Sequence, residues 1–82
     1  MDVLDGNAIA GALFAAFGAE MTAATGVCAS CGATGRVAEL KVYFRAPGIV
    51  ARCAHCESVA MVLVEIRGYT VVDLTGLRAL ER

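Results

Sequence analysis

Four cysteines stand out as the residues able to do chemistry. Cys28 and Cys31 form one C-x2-C pair and Cys53 and Cys56 a second. The 21 residues 32–52 separate the pairs. A C-x2-C turn curls both sulfurs to one side, and two such knuckles facing each other make a tetrahedral tetrathiolate site. Four thiolates leave no open coordination position, so the chemistry they favour is structural zinc binding, one ion held by Cys28, Cys31, Cys53 and Cys56. Three other uses of the same sulfurs stand beside it. Iron in this cage would make a rubredoxin-like electron carrier, although neither knuckle carries proline and the aromatic content is 6% with no tryptophan. A dithiol redox pair needs a thiolate beside a cation or a helix N-terminus, and Arg52 does adjoin Cys53. Two disulfides are the fourth use.

His55, the single histidine, lies inside the second knuckle. A Cys–His nucleophilic pair needs the base within hydrogen-bond reach of the sulfur. At the third position of a knuckle the side chain points outward while the backbone serves the sulfurs, so His55 is expected to be an exposed spacer. The chain has no phosphate-binding glycine loop with a following Lys-Ser/Thr, no G-x-S-x-G, no H-E-x-x-H and no calcium loop. Glu65 and Asp73 could face each other across a hairpin, but carboxylates near a turn are usually solvated. No enzymatic activity is expected.

The elements that must position the cysteines follow from periodicity. A helix is expected within residues 1–20, where Ile9, Leu13, Phe17 and Met21 recur every four residues with Phe14 beside them. Asp5 or Asn7 can cap its start and Gly18 can end it. The segment 36–46 alternates as a half-buried strand, with Ala38, Leu40, Val42 and Phe44 on one face and Glu39, Lys41, Tyr43 and Arg45 on the other. Pro47-Gly48 signals a turn. Residues 49–53 return and deliver the second cysteine pair. The run 58–66 is apolar on both faces and fits a central or interface strand. Arg67-Gly68 marks a hairpin, residues 69–75 return, and "GLRALER" reads as a short helical or frayed tail. Gly32 suits the left-handed conformation that follows a knuckle. Its counterpart Glu57 does not, so the second knuckle is expected to be distorted or to run straight into the next strand.

The knuckles "CASCG" and "CAHC" flanking a β-hairpin resemble a zinc ribbon with rubredoxin-like double knuckles. With "LDGNAIAGAL", "YFRAPG" and "VVDLTG" added, nearly the whole chain resembles a family of small, uncharacterised actinobacterial zinc-ribbon proteins. The resemblance implies a zinc-ribbon fold and a metal, but no reaction. It also suggests an oxidoreductase among the partners, since members are sometimes encoded near flavin or molybdopterin oxidoreductases.

Composition bounds the rest. At 82 residues the chain is expected to be a single domain, with residues 26–75 as its metal-bound β core. So short a chain builds a thin core and usually needs a metal, disulfide or partner. Yet 59% of its residues are hydrophobic and only 18% charged. An apolar surface covered by a second copy or another protein is therefore expected. Net charge is −1, which gives no general attraction to nucleic acid. The hairpin 36–52 is nonetheless locally basic through Arg36, Lys41, Arg45 and Arg52. Arg36 and Arg52 lie close to the knuckles, where they could offset the charge of a metal tetrathiolate. The acidic start "MDVLDGN" is unlike a secretory signal. The apolar run 8–19 is short of the roughly 20 residues that span a bilayer. A cytoplasmic protein is expected, without membrane association. The fold class expected is α+β, an N-terminal helix with a small antiparallel zinc-ribbon sheet of four or five strands. The expected function is a structural-zinc module for protein–protein interaction, or an accessory subunit. Nucleic-acid binding through the hairpin 36–52 and iron electron transfer are the alternatives.

Overall fold

The computed structural model describes residues 4–45 and 48–82. The fold is α+β, with one N-terminal helix and two antiparallel sheets. The larger has five strands in the order β1-β4-β5-β6-β7: β1 (Leu4–Asp5), β4 (Lys41–Arg45), β5 (Gly48–Arg52), β6 (Val59–Ile66) and β7 (Tyr69–Asp73). The smaller has three, in the order β3-β2-β8: β2 (Thr25–Cys28), β3 (Thr34–Arg36) and β8 (Leu77–Glu81). Two sheets thus replace the one expected, and the β core extends beyond residue 75 to Glu81.

The helix is shorter than the span 1–20. A 3-10 turn over Gly6–Ile9 leads into α1 (Ala10–Phe17). The Asp5 carboxylate caps the turn by accepting from the Asn7 N–H at 3.0 Å. Gly18 ends α1 at φ 69°, with its N–H on the Phe14 carbonyl. That left-handed position is where glycine is favoured at a helix C-terminus. Ile9 and Leu13 are buried as the stripe anticipated, whereas Phe14 is 55% exposed.

The alternation over 36–46 holds only from Lys41 to Arg45. Val37–Glu39 is a second 3-10 turn. Long-range bonds decide this: Val37 N–H donates to the Ala24 carbonyl and Ala38 N–H to that of Thr22, each at 2.9 Å. The Glu39 carboxylate accepts from the Arg36 N–H at 2.7 Å and closes the turn. Val37, rather than Ala38, is consequently the buried residue. The Pro47 half of the turn signal lies outside the described residues, and Gly48 opens β5. "GLRALER" is largely strand β8, because Leu77–Glu81 pairs antiparallel with β2.

Cross-strand register sets what each face of the large sheet carries. Val42, Ala51 and Met61 are neighbours across β4, β5 and β6, and Ile49, Leu63 and Val72 form the next row. With Ile9, Leu13, Met21, Ala24 and Val37 these residues form the core, and Leu77 and Leu80 of the small sheet pack against it. The opposite face carries Tyr43, Val50, Val62, Val64, Ile66, Tyr69 and Val71, of which the last three are exposed. This confirms β6 as an internal strand that is apolar on both faces.

Gly76 makes a close approach that only glycine permits. A Cβ there would lie 1.9 Å from the Val59 carbonyl oxygen, where the chain crosses the start of β6 on its way to β8. A Cβ at Gly11, within α1, meets nothing within 4 Å. Gly76→Ala is expected to destabilise the protein by about 2 kcal/mol or more. Gly11→Ala is expected to stabilise it by about 0.5–1 kcal/mol. Chemical denaturation of the two variants beside the wild type measures both.

Candidate metal centre

The knuckles sit in two turns that belong to different sheets. The first bridges β2 and β3 of the small sheet, and the second bridges β5 and β6 of the large one. They repeat each other bond for bond. Cys28 N–H donates to the Ala33 carbonyl at 2.9 Å, and Cys53 N–H to that of Ser58 at 2.8 Å. Gly32 N–H donates back to the Cys28 carbonyl at 2.9 Å, and Glu57 N–H to that of Cys53 at 3.0 Å. The expected distortion at Glu57 does not occur. Glu57 takes the left-handed conformation at φ 64°, beside Gly32 at φ 76°.

Three contacts hold Glu57 there or buttress it. Arg52 Nη1 donates to the Glu57 carbonyl at 2.9 Å, Lys41 Nζ stands 3.9 Å from its carboxylate, and the Arg52 guanidinium lies 5.9 Å from the Tyr43 ring centroid. Arg36 lines the cleft beside Cys28 and Cys53, and a second arginine, Arg78, stands beside the first knuckle. A Cβ at Gly32 would lie 3.6 Å from Arg78 Nη2. Nothing local signals Arg78, since strand β8 brings it to the site.

All four sulfurs lie within 4.8 Å of one another. Cys28 Sγ and Cys56 Sγ are 3.7 Å apart, and Cys31 Sγ and Cys53 Sγ 3.8 Å. A tetrahedral centre with metal–sulfur bonds of about 2.3 Å has edges of about 3.8 Å, so the cluster fits a metal ion. The cysteines are free thiols, at separations far beyond the roughly 2 Å of a disulfide bond. Cys28 and Cys53, the first cysteine of each knuckle, are buried; Cys31 and Cys56 are exposed.

Each sulfur receives a backbone donor from two residues further along the chain, and Cys28 a second from Cys31. Ser30 serves Cys28, Ala33 serves Cys31, and Ser58 serves Cys56. His55 N–H lies 3.4 Å from Cys53 Sγ. The Cys31 and Ser30 N–H groups hold the Cys28 thiol below its ordinary value. The Ser58 hydroxyl and N–H draw Cys56 down to about 6. At Cys31 the Ala33 N–H acts in the same sense, but desolvation and the neighbouring sulfurs outweigh it and push the thiol up to about 11. Four sulfurs this close cannot all ionise unaided, and a cation among them removes the conflict.

His55 has an exposed side chain and contributes its backbone N–H to the knuckle, as its position implied. Glu65 and Asp73 do not face each other. Glu65 pairs with Thr70 and Asp73 with Val62, which places the two carboxylates on opposite faces of the sheet. Beside the buried sulfurs, a cleft of about 170 Å³ opens between the sheets, lined by Gly26, Cys28, Leu40, Cys53, His55 and Leu77 among others. Among the described residues, no helix is long and apolar enough to cross a membrane.

The helix, the two sheets and the four-cysteine cluster define a small α+β protein with a site that could hold a metal ion. The whole chain, residues 1–82, matches the family model DUF6510, described as a family of unknown function, and the protein belongs to that family. No curated protein and no solved structure matches the chain.

A left-handed non-glycine residue costs about 1 kcal/mol, and an exposed ion pair such as Lys41–Glu57 returns less than that. Glu57→Gly is therefore expected to raise stability by up to about 1 kcal/mol with metal binding intact. Thermal unfolding and metal titration of this variant test the expectation together.

Proposed function

We propose that the protein is a non-enzymatic, zinc-stapled interaction module, a small zinc-ribbon-like domain that serves as an accessory subunit or adaptor. Cys28, Cys31, Cys53 and Cys56 hold one zinc ion, whose contribution is a rigid crosslink between the two sheets. The all-thiolate donor set, with a backbone N–H directed to every sulfur, suits zinc or iron. Zinc is the better reading because, among the described residues, no phenylalanine or tyrosine lines the cleft beside the buried sulfurs to shield a redox centre.

The observation that carries the interaction reading is the open face of the large sheet. Tyr43, Val50, Val62 and Val64 lead across it to Ile66, Tyr69 and Val71, whose exposures are 51%, 76% and 52%. Neighbouring apolar side chains with this much exposure mark a surface that another protein covers. The basic hairpin supports nucleic-acid binding less well. Two of its four cations, Arg52 and Lys41, are engaged with Glu57.

Protein purified from its native host is expected to carry one zinc per chain and to be colourless, by elemental analysis and visible spectroscopy. A red, iron-loaded protein would overturn the zinc assignment. Structural zinc contributes on the order of 10 kcal/mol, which exceeds the stability of most domains this small. A strong chelator is therefore expected to abolish the cooperative thermal transition, and Cys53→Ser to prevent metal loading. Val64→Asp is expected to keep fold and zinc but to lose the partner in a native pull-down.

A further inference from the structure

The large sheet ends in two unlike edges. On the β4 side, β1 covers Lys41 and Val42. On the other side β7 is the last strand, and among the described residues no strand pairs with its outer edge. Natural sheets blunt such an edge with charge, proline or a bulge. β7 reads Tyr69-Thr70-Val71-Val72-Asp73, and its pairing with β6 shows no register shift. It has no lysine, arginine or proline, and its one charge is at the end.

The hairpin fixes which backbone groups point outward. Arg67 and Gly68 both have positive φ, 51° and 83°, the signature of a two-residue type I′ turn. In such a turn the flanking residues Ile66 and Tyr69 exchange hydrogen bonds. Alternation along the ladder then directs the Tyr69, Val71 and Asp73 amide groups toward β6. Those of Thr70 and Val72 point away from the sheet, and neither residue takes part in the backbone bonds made outside the strands.

We propose that this edge pairs with the same edge of a second copy, antiparallel and centred on Val71, so that two five-stranded sheets join across a two-fold axis. The proposal rests on the interaction reading and names its partner as the chain itself. In this register Thr70 lies opposite Val72 of the other copy, and each such pair exchanges two N–H···O bonds. Val71 meets its own copy in the closely spaced, non-hydrogen-bonded position, where side-chain contact is tightest.

Charge selects the direction. Arg67 lies in the turn before β7 and Asp73 at the far end of the strand. An antiparallel copy carries each Asp73 to the end where the other copy's Arg67 turn lies, whereas a parallel copy brings the two Asp73 carboxylates together. Tyr69 falls opposite Asp73, so no two like charges oppose each other along the strand. The join also covers Tyr69 and Val71, 76% and 52% exposed in the single chain, and makes the open apolar faces of the two copies continuous. The interface is isologous and closed, which ends assembly at two copies.

Sedimentation equilibrium of the zinc-loaded protein and two variants tests the register, with far-UV circular dichroism and zinc content as controls for folding. The wild type is expected to be a dimer at micromolar concentration. Val71→Lys sets two like charges directly opposite and is expected to weaken the dimer by about tenfold or more. Tyr69→Lys removes more exposed apolar surface but sets its cation opposite Asp73, so this variant is expected to remain a dimer. The proposal is overturned by a wild type that stays monomeric to about 100 μM, a concentration at which roughly 5 kcal/mol of pairing would show. It is equally overturned if Val71→Lys dimerises as well as the wild type, or if Tyr69→Lys weakens the dimer as much as Val71→Lys does. A monomer that still captures a specific partner through the Val64 face would end the self-pairing and leave the interaction reading standing.

Discussion

The rest of the structure depends on the contact between two turns. One belongs to the three-stranded sheet and the other to the five-stranded sheet, and four sulfurs meet where they touch. The hydrophobic core also spans the sheets, but its fully buried side chains are few and several are alanine or valine. A core of that size leaves a small domain marginal. A metal ion held by the four sulfurs would supply a constraint the apolar side chains cannot, and the sulfurs impose a condition of their own. Left as a group without a cation they are at odds, one thiol drawn down to about 6 and another driven up to about 11. The same closeness that frustrates ionisation suits a metal ion.

Much of the charge on the molecule serves this contact. Arg52, Lys41 and Tyr43 lie on one face of adjacent strands and converge on Glu57, the residue that takes a left-handed turn without being glycine. Arg78 stands near Gly32 at the corresponding place on the first knuckle. The two knuckles therefore reach one geometry by different means. At the first, glycine permits the turn; at the second, neighbouring side chains hold it in place. A stretch that looks basic in sequence is in large part scaffolding for the second turn.

What could be read from the sequence is what is decided locally. The four cysteines were legible because a knuckle is a four-residue structure whose sulfurs converge whatever surrounds them. Gly18 and Gly32 were legible because a left-handed position favours one residue type. The hairpin at Arg67-Gly68 and the double apolar face of 59–66 follow from turn chemistry and alternation. The misreadings have the opposite origin. Val37–Glu39 left the strand because Ala24 and Thr22 offered carbonyls from a distant part of the chain. Residues 77–81 contain Leu, Arg, Ala and Glu, all good helix formers, yet pairing with β2 made them strand. The place of Arg78 followed from that one pairing. Membership of the four-cysteine cluster was thus visible, whereas the architecture that meets at the cluster was not.

The position of β8 bears on how the protein is made. The first knuckle hangs from β2 and β3, and two strands alone are marginal in water. The third strand of that sheet is Leu77–Glu81, which follows both of its sheet partners and all five strands of the large sheet in the chain. During synthesis the chain therefore carries an early thiol pair on an unfinished platform. The thiols of the second knuckle emerge later, within a meander that can assemble from local contacts. The small sheet is therefore closed only after the whole large sheet has been made, so both thiol pairs are in place before the platform of the first knuckle is complete.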